Sequence, residues 1–312
     1  MLHYACDVRV IVWEMMYFIV TGWTYSLWGD LTWLQALPLV FTCAMLSFFG
    51  ATITHNCIHV PMFTKEWMNS LWQVVLSLTY GWPVSALIPG HNLSHHKFTN
   101  TQKDAMRPQK MQYQTNLWNY LIFPIATVRA IAKYDAEYMD DQRKRGRPIW
   151  NQYLLEALCF YPLQVLLLYL SPSKYFWTVF LPQLYAKWQI IAMNILQHDG
   201  CPTPEEHKYN HSRNFTGWWI NFLTFNNGYH AIHHMHPGWH WSRLKEAHER
   251  LVAPHNAPHL NQTSIFRYCW RSFISPGQRV AFDGSSYQPP KEFLPDLPWY
   301  SGTSETYSVG SQ

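Results

Sequence analysis

The sequence predicts an all-α integral membrane protein: four transmembrane helices in two hairpins, re-entrant or interfacial helices, and a cytoplasmic helical cap. Three observations support this fold class. Four apolar stretches approach the roughly 20 residues that a spanning helix needs. Charged residues make up only 13% of the 312 residues, against about 25% in an ordinary soluble domain. Aromatic residues reach 17%, as expected where Trp and Tyr rings line a membrane surface.

The four predicted spans share high apolar content and pair through short links. They are residues 10–28, 33–54, 151–170 and 175–197. The links 29–32 and 171–174 hold four residues each, so each pair of spans is expected to form a helical hairpin. A packed soluble core is the alternative interpretation of the same apolar stretches.

Two further apolar runs, 71–87 and 117–132, lie between the hairpins. The first contains Gly81 and Pro83, which would break a spanning helix. If either run crossed the membrane once, every later segment would be inverted. We therefore expect both runs to be re-entrant or to lie at the interface.

Two charged residues fall inside predicted spans. Glu14 lies near the start of the first span, where its carboxylate could reach the interface. Lys187 lies in the middle of the fourth, where a charge is costly and usually faces a cavity or a partner. The alternative is that this helix projects into the cytoplasm, which would bring Lys187 nearer the surface.

The distribution of Lys and Arg predicts the orientation. About ten of them lie between residues 97 and 148 and about nine follow His198, whereas the hairpin links hold only Lys174. The positive-inside rule then puts the cap (55–150 and 198–298) and both termini in the cytoplasm. The membrane would be a bacterial inner membrane or the endoplasmic reticulum. We treat residues 1–298 as one domain, followed by a polar tail, 299–312, that is expected to be disordered.

Composition also excludes several classes of protein. The net charge of +4 is small and dispersed, and no basic stripe alternates with aromatic residues, so nucleic acid is not an expected partner. The six cysteines are widely spaced, which argues against a disulfide scaffold and fits either a reducing compartment or burial in apolar surroundings. The first ten residues lack the features of a cleavable signal peptide.

Histidine is the most informative residue type, with 17 copies. Nine of them form four clusters at close spacing or at the end of a predicted span. These are His55 and His59; His91, His95 and His96; His198; and His230, His233 and His234. Residues three or four apart share one face of a helix, so each paired cluster can direct two imidazoles at one metal ion. The adjacent histidine could serve a neighbouring ion.

Nine imidazoles predict a two-metal site, because four or five nitrogens suit each ion. A single histidine pair is more often a surface or capping pair. Here, however, the predicted topology brings all four clusters to one membrane face. No carboxylate is built into the clusters, and the sequence contains neither H-E-x-x-H nor a nucleotide-binding glycine loop.

The order H-x-x-x-H, H-x-x-x-H-H, H-x-x-H-H, placed after the second and fourth predicted spans, resembles the membrane-bound fatty-acid desaturase and hydroxylase superfamily. The resemblance covers about residues 33–244. It implies two iron ions held by the nine histidines, with O₂ as co-substrate. Some members also have an N-x-x-x-H element whose asparagine holds a metal-bound water. Asn194 and His198 match that spacing.

The resemblance implies attack on unactivated C–H bonds of a lipid or fatty acyl chain, most simply desaturation. A hydroxylase, ketolase or decarboxylase of the same superfamily is the alternative, since the longer second box occurs in alkane hydroxylases as well. A membrane metal-binding or transport protein is the alternative from a different class. Electrons would come from an external donor, a ferredoxin or a cytochrome b5 with its reductase.

We expect no catalytic residue beyond the metal ligands, but outer groups should orient the imidazoles through their second ring nitrogen. Three polar residues near the clusters are candidates for that role, and ordinary loop positions are the alternative for each. They are Asp104, Asp199 and Asn227.

Overall fold

The computed structural model describes residues 1–290, 292 and 294–302, and its regular structure is mostly helical. The α-helices of these residues are α1 (Val8–Leu27), α2 (Trp33–Cys57), α3 (Glu66–Tyr80), α4 (His96–Phe98), α5 (Asn116–Lys144), α6 (Pro148–Leu170), α7 (Pro172–Tyr175), α8 (Leu181–His198), α9 (Trp218–Leu223), α10 (His230–Met235), α11 (Leu244–Leu251) and α12 (Ile265–Cys269).

Shorter elements connect these helices. Strands β1 (Asn214–Phe215) and β2 (Asn261–Gln262) pair in parallel. Three segments are π-helical: Pro89–His95, Phe176–Phe180 and Trp270–Ile274. The 3₁₀ turns are Ala5–Asp7, Val84–Leu87, Pro108–Lys110, Trp241–Arg243 and Pro258–Leu260.

The chain forms two compact units, each made of two segments. The first unit comprises Met1–Leu87 and Gln142–Ile190. The second comprises Ile88–Asp141 and the described residues from Ile191 onward. Most of the predicted spans belong to the first unit and most of the histidines to the second.

Two helices of the described chain, α2 and α6, are long and apolar enough to cross a bilayer. A third candidate is α3 together with the helical segment Val84–Phe98, a pair bent by 79°. The bend follows Gly81, which ends α3 with a φ of 80°, so the helix breaks where the sequence predicted. Helices α1 and α8 form close to the predicted first and fourth spans, but they do not combine the same length and apolar character.

The predicted hairpin links lie together in the first unit. Thr32 and Gln35 form a capping box that begins α2. The indole N–H of Trp28 donates to the hydroxyl of Ser173 at 3.1 Å. The Trp28 ring also stacks on Trp177, with centroids 6.1 Å apart. Trp28, which directly precedes the first link, therefore makes a polar contact with the second link and an aromatic contact with the start of the fourth predicted span.

The charged residues of the predicted spans have polar partners. Glu14 does not extend to an interface: it is 2% exposed and accepts a hydrogen bond from the Thr79 hydroxyl at 2.5 Å. A methyl group on Gly50 would meet Thr79 at 2.3 Å, so glycine allows α2 to approach α3 at this point. The ammonium of Lys187 donates to the Gly81 carbonyl at 2.9 Å.

The second unit includes part of the segment that we assigned to the polar tail. Trp299 is buried, and the hydroxyl of Tyr300 donates to Asp141 at 2.7 Å. The remainder of that predicted tail, 303–312, lies outside the described residues. All six cysteines are among the described residues and are free thiols.

Candidate metal centre

The second unit brings seven of the nine predicted histidine ligands together, on three helical elements. The π-helical segment Pro89–His95 continues into α4 and carries the second box. Helix α8 ends at His198, and α10 carries the third box. Gly228 is needed just before α10 because a methyl group there would meet the Phe215 carbonyl at 2.2 Å. The start of α10 is thereby packed against β1.

Four of these histidines form a compact group, called here the four-histidine group: His95, His198, His230 and His234. One ring nitrogen from each lies within 4.8 Å of all the others. The Nε2 atom of His230 is 2.8 Å from that of His198 and 3.1 Å from that of His234. Two nitrogens that each bind an ion at about 2.1 Å, at right angles, would lie about 3 Å apart. The spacing therefore suits one shared cation.

The other three form a second group, called here the three-histidine group: His91, His96 and His233. The Nε2 atom of His96 lies 3.1 Å from that of His91 and 3.2 Å from that of His233. We predicted that histidines four apart would share an ion, but His91 and His95 fall in different groups. The reason is the π-helix, whose wider turn brings positions five apart nearer to one face than an α-helix does.

The first box lies in the first unit. His55 is in the last turn of α2 and His59 follows the helix. Their ring centroids are 5.3 Å apart, so the predicted spacing does bring the two imidazoles side by side.

Three polar groups contact the second nitrogen of ligands in the four-histidine group. A carboxylate oxygen of Asp104 lies 3.0 Å from Nδ1 of His95. The carbonyl of His211 lies 3.2 Å from Nδ1 of His198. Such contacts fix the ring orientation and the tautomer of metal-binding imidazoles. The hydroxyl of Thr99 makes the equivalent contact to His234, at 3.1 Å from Nδ1.

Asp104 is itself held in place by backbone groups. Its carboxylate accepts hydrogen bonds from the amides of Asn100 at 2.9 Å and Met106 at 2.8 Å. The side chain is completely buried. A buried carboxylate with three donors is a fixed acceptor, and it stabilises the Nδ1–H tautomer of His95.

The other predicted outer residues make different contacts. The Asp199 carboxylate pairs with the guanidinium of Arg279, with one contact at 2.8 Å. Asn227 accepts a hydrogen bond from the side chain of Gln197 through its carbonyl at 3.2 Å. The side-chain amide of Asn194 donates to the Met106 carbonyl at 2.7 Å.

The four-histidine group has the chemistry of a metal site. Burial, and then the neighbouring imidazoles, hold the pKa of His198 and of His234 well below the ordinary value, so both rings are neutral donors. The Nε2 atom of His95 is buried, and among the described residues it has no hydrogen-bond partner. With Nδ1–H directed at Asp104, this nitrogen carries a lone pair. A cation fits that lone pair.

Sequence reasoning missed two of these contacts. Thr99 stands three residues after the second box, and a hydroxyl so close to the ligands could have been noticed. His211 offers no such signal, because its backbone carbonyl is the group that contacts His198 and any residue type has one. Burial lowers the pKa of the His211 side chain to about 4.

The chain is similar to known proteins over most of its length. Residues 31–264 match the family described as fatty acid desaturase. Two curated relatives, the alkane 1-monooxygenases of Ectopseudomonas oleovorans and Pseudomonas putida, are each 23% identical to the chain over 274 residues. Each match covers 83% of this chain and 64% of the relative. The chain thus spans less than two thirds of the length of these relatives.

Proposed function

The chain belongs to the fatty acid desaturase family, and we propose that it is an O₂-dependent di-iron membrane oxidoreductase acting on C–H bonds of a lipid or hydrocarbon chain. One observation carries the proposal. The four-histidine group offers four imidazoles around one point, three of them buried and that of His234 half-buried, with the Nε2 lone pair of His95 directed to no other hydrogen-bonding group among the described residues. Imidazole is a common ligand for iron.

We assign one iron ion to each group of histidines. The four-histidine group would hold one ion. The three-histidine group supplies three donors for the other, and His55 and His59 would complete its coordination. The side-by-side rings of His55 and His59 support this assignment. The carboxamide oxygen of Asn194 would accept a hydrogen bond from a metal-bound water, since its NH₂ group already donates to Met106.

When bound, the two iron ions supply the activation of O₂ that an unreactive C–H bond requires. The chain's own residues fix the geometry. Asp104 holds the Nδ1 proton of His95, and the carbonyl of His211 holds that of His198. The burial of these rings excludes water, which strengthens every electrostatic contact in the site.

We also propose a membrane topology. Helices α1, α2, α6 and α8 would span the membrane as two hairpins, with the termini and both histidine groups in the cytoplasm. The hydrogen bond from Trp28, which directly precedes the first link, to Ser173 in the second link supports a common side for both links. The excess of Lys and Arg outside those links supports the cytoplasmic orientation. The membrane would be a bacterial inner membrane or the endoplasmic reticulum.

Desaturation of a fatty acyl chain is the reaction that we propose first. The substrate loses two hydrogen atoms, and O₂ takes these together with two electrons and two protons to form two waters. The electrons come from an external carrier, a ferredoxin or a cytochrome b5 with its reductase. The description of the matching family supports this reaction.

Hydroxylation is the second candidate. It inserts one oxygen atom of O₂ into a C–H bond and reduces the other atom to water with two protons and the same two external electrons. The names of the two curated relatives, both alkane 1-monooxygenases, favour it. The spacing of the second box, His91, His95 and His96, is compatible with either reaction.

Product analysis tests the function. Membranes from a host that expresses the full chain are compared by lipid mass spectrometry with those expressing His233→Ala. His207→Ala is the matched control, because His207 is exposed and belongs to neither group. We expect products two mass units lighter for desaturation, or 16 heavier for hydroxylation, with the wild type and the control only. Bound metal without O₂ consumption under any reductant would instead identify a metal-binding or transport protein.

A further inference from the structure

A cavity of about 230 Å³ lies in the second unit, beside α12 and its π-helical continuation Trp270–Ile274. Three arginines line it: Arg213, Arg267 and Arg271. His259 and Gln262 add polar groups to the wall. Among the described residues that line this cavity, none is acidic. A cavity with several fixed cations and no carboxylate suits an anionic ligand.

The cationic groups of this cavity are available to a ligand. Arg267 and Arg271 are exposed and stand four residues apart on consecutive helical turns. Within the described chain neither side chain has an ion-pair partner. The Nε2 atom of His259 is buried, and it has no hydrogen-bond partner among the described residues. Each of these three side chains can donate to an oxyanion.

Arg213 gives the cavity a rigid floor. It is 1% exposed, and its guanidinium donates to the carbonyls of Leu196 and Asp199, both at 3.1 Å. A third donor reaches the Val280 carbonyl at 3.0 Å. The guanidinium also lies over the Tyr268 ring, 4.2 Å from its centroid. These neutral groups, three carbonyls and one aromatic ring, therefore hold the positively charged guanidinium of Arg213 in place.

An apolar stripe runs beside the arginines on the same helical segment. Phe266 is 81% exposed, Trp270 is 57% exposed and Ile274 is 44% exposed. The three residues are spaced by four, so they follow one face of the helix. Arg267 and Arg271 each directly follow an aromatic member of the stripe. A helix with bulky apolar residues on one side and arginines beside them is typical of a membrane surface.

We propose that this cavity binds the phosphate of an anionic phospholipid, with the acyl chains of that lipid along the Phe266, Trp270 and Ile274 stripe. Arg267, Arg271 and His259 would donate to the phosphate oxygens, and Arg213 would contribute fixed positive charge. Charge complementarity selects the headgroup, and the apolar stripe selects a lipid over a free anion. None of the residues that line this cavity belongs to either histidine group, and the proposal does not depend on the reaction proposed above.

Native mass spectrometry of the full-length protein in non-ionic detergent tests the site. The probes are phosphatidylglycerol, phosphatidylcholine, diacylglycerol and inorganic phosphate. We expect phosphatidylglycerol to bind most tightly. Arg267→Gln/Arg271→Gln should weaken its binding roughly tenfold or more, since each basic side chain contributes appreciably at an anionic membrane surface. Phe266→Ser/Trp270→Ser should weaken binding of the lipid and leave binding of inorganic phosphate unchanged.

The matched control is Lys245→Gln/Arg250→Gln, which removes two exposed positive charges from α11 in the same unit. This control should retain phosphatidylglycerol within about twofold, and every variant should keep the wild-type iron content. Equal retention of the lipid by the arginine pair variant and by this control would overturn the proposal. So would equal binding of diacylglycerol and phosphatidylglycerol, or binding of inorganic phosphate as tight as that of the lipid.

Discussion

The Nε2 atoms of His91 and His96 lie 3.1 Å apart although the two residues are five positions apart in the sequence. In an α-helix, residues five apart are rotated well away from each other, whereas the wider π-helical turn brings them nearer to one face. The π-helix Pro89–His95 also turns His95 toward the four-histidine group. One local change from α-helical to π-helical backbone therefore places His91 and His96 in the three-histidine group and His95 in the four-histidine group. Short π-helical segments are often found at functional sites for this kind of reason.

The backbone of this π-helix is packed so closely at Gly90 that one added methyl group should displace it. A Cβ on Gly90 would lie 3.0 Å from the Asp135 carboxylate and 3.4 Å from Ile131. The Gly90 amide also donates to that carboxylate, whose pKa is raised well above the ordinary value by burial. We expect Gly90→Ala to displace His91 and to weaken iron binding by about tenfold, measured as iron retained against a chelator. Gly22→Ala, where nothing lies within 4 Å of the added methyl, should bind iron normally; equal iron loss in both variants would refute this account.

The carboxylate of Asp104 should control the orientation of His95. We expect Asp104→Asn to lower iron affinity by about 10- to 100-fold, the usual effect of losing an outer partner. His95 and Asn100 contact one carboxylate oxygen of Asp104 and Met106 contacts the other. The NH₂ group of an asparagine must replace one of these two acceptors, and any acceptor left for the Nδ1 proton of His95 is neutral and therefore weaker. Chelator competition measures the loss. Asp30→Asn, at an exposed hairpin position, is the control, and unchanged iron affinity in Asp104→Asn would show that His95 needs no such acceptor.

Asp199 and Arg279 form a buried ion pair between residues 80 positions apart. Removing one partner leaves an uncompensated buried charge, so Arg279→Met should lower the free energy of unfolding by about 3–5 kcal/mol. The double variant Asp199→Asn/Arg279→Met removes both charges and should be less destabilised than the single variant. Thermal or denaturant unfolding of the purified protein measures both. A double variant at least as unstable as the single one would contradict the argument.

The break after α3 should depend on glycine for two separate reasons. Gly81 has a φ of 80°, and its added Cβ would lie 2.6 Å from the Cβ of Gln183. The side-chain amide of Gln183 is held by the Leu78 carbonyl at 2.7 Å, so it cannot easily move away. Gly29 has a φ of 107° with nothing within 4 Å. We expect Gly29→Ala to cost about 1–2 kcal/mol from backbone strain alone, and Gly81→Ala to cost clearly more in the same unfolding assay. Equal costs would exclude the contact with Gln183.

Sequence spacing was sufficient for the parts of the site that local structure determines. The i and i+4 spacing of His230 and His234 leads to one group, as helical geometry requires. The break at Gly81 follows from the backbone freedom of glycine and the nearby Pro83. Asp104, nine residues after His95, was a candidate contact because it lies near the second box in the sequence, and its carboxylate does contact His95.

Other features depend on the folded chain and had no local signal. The division of His91 and His95 between groups follows from a π-helix, and no residue pattern in the box distinguishes that from an α-helix. The partner of Asp199 is Arg279, which only tertiary structure brings near. We assigned Trp299 to the start of the polar tail, yet it is buried. One aromatic ring among small polar residues can still pack into the second unit.

Iron stoichiometry tests the central claim most directly. The full-length protein, reconstituted with ferrous iron without oxygen, is analysed for metal by plasma emission and for iron environment by Mössbauer spectroscopy. The account predicts two nitrogen-ligated iron ions per chain in the wild type and in His207→Ala, and fewer in His198→Ala. A wild type that binds one iron or none, or a His198→Ala variant with the full iron content, would contradict it.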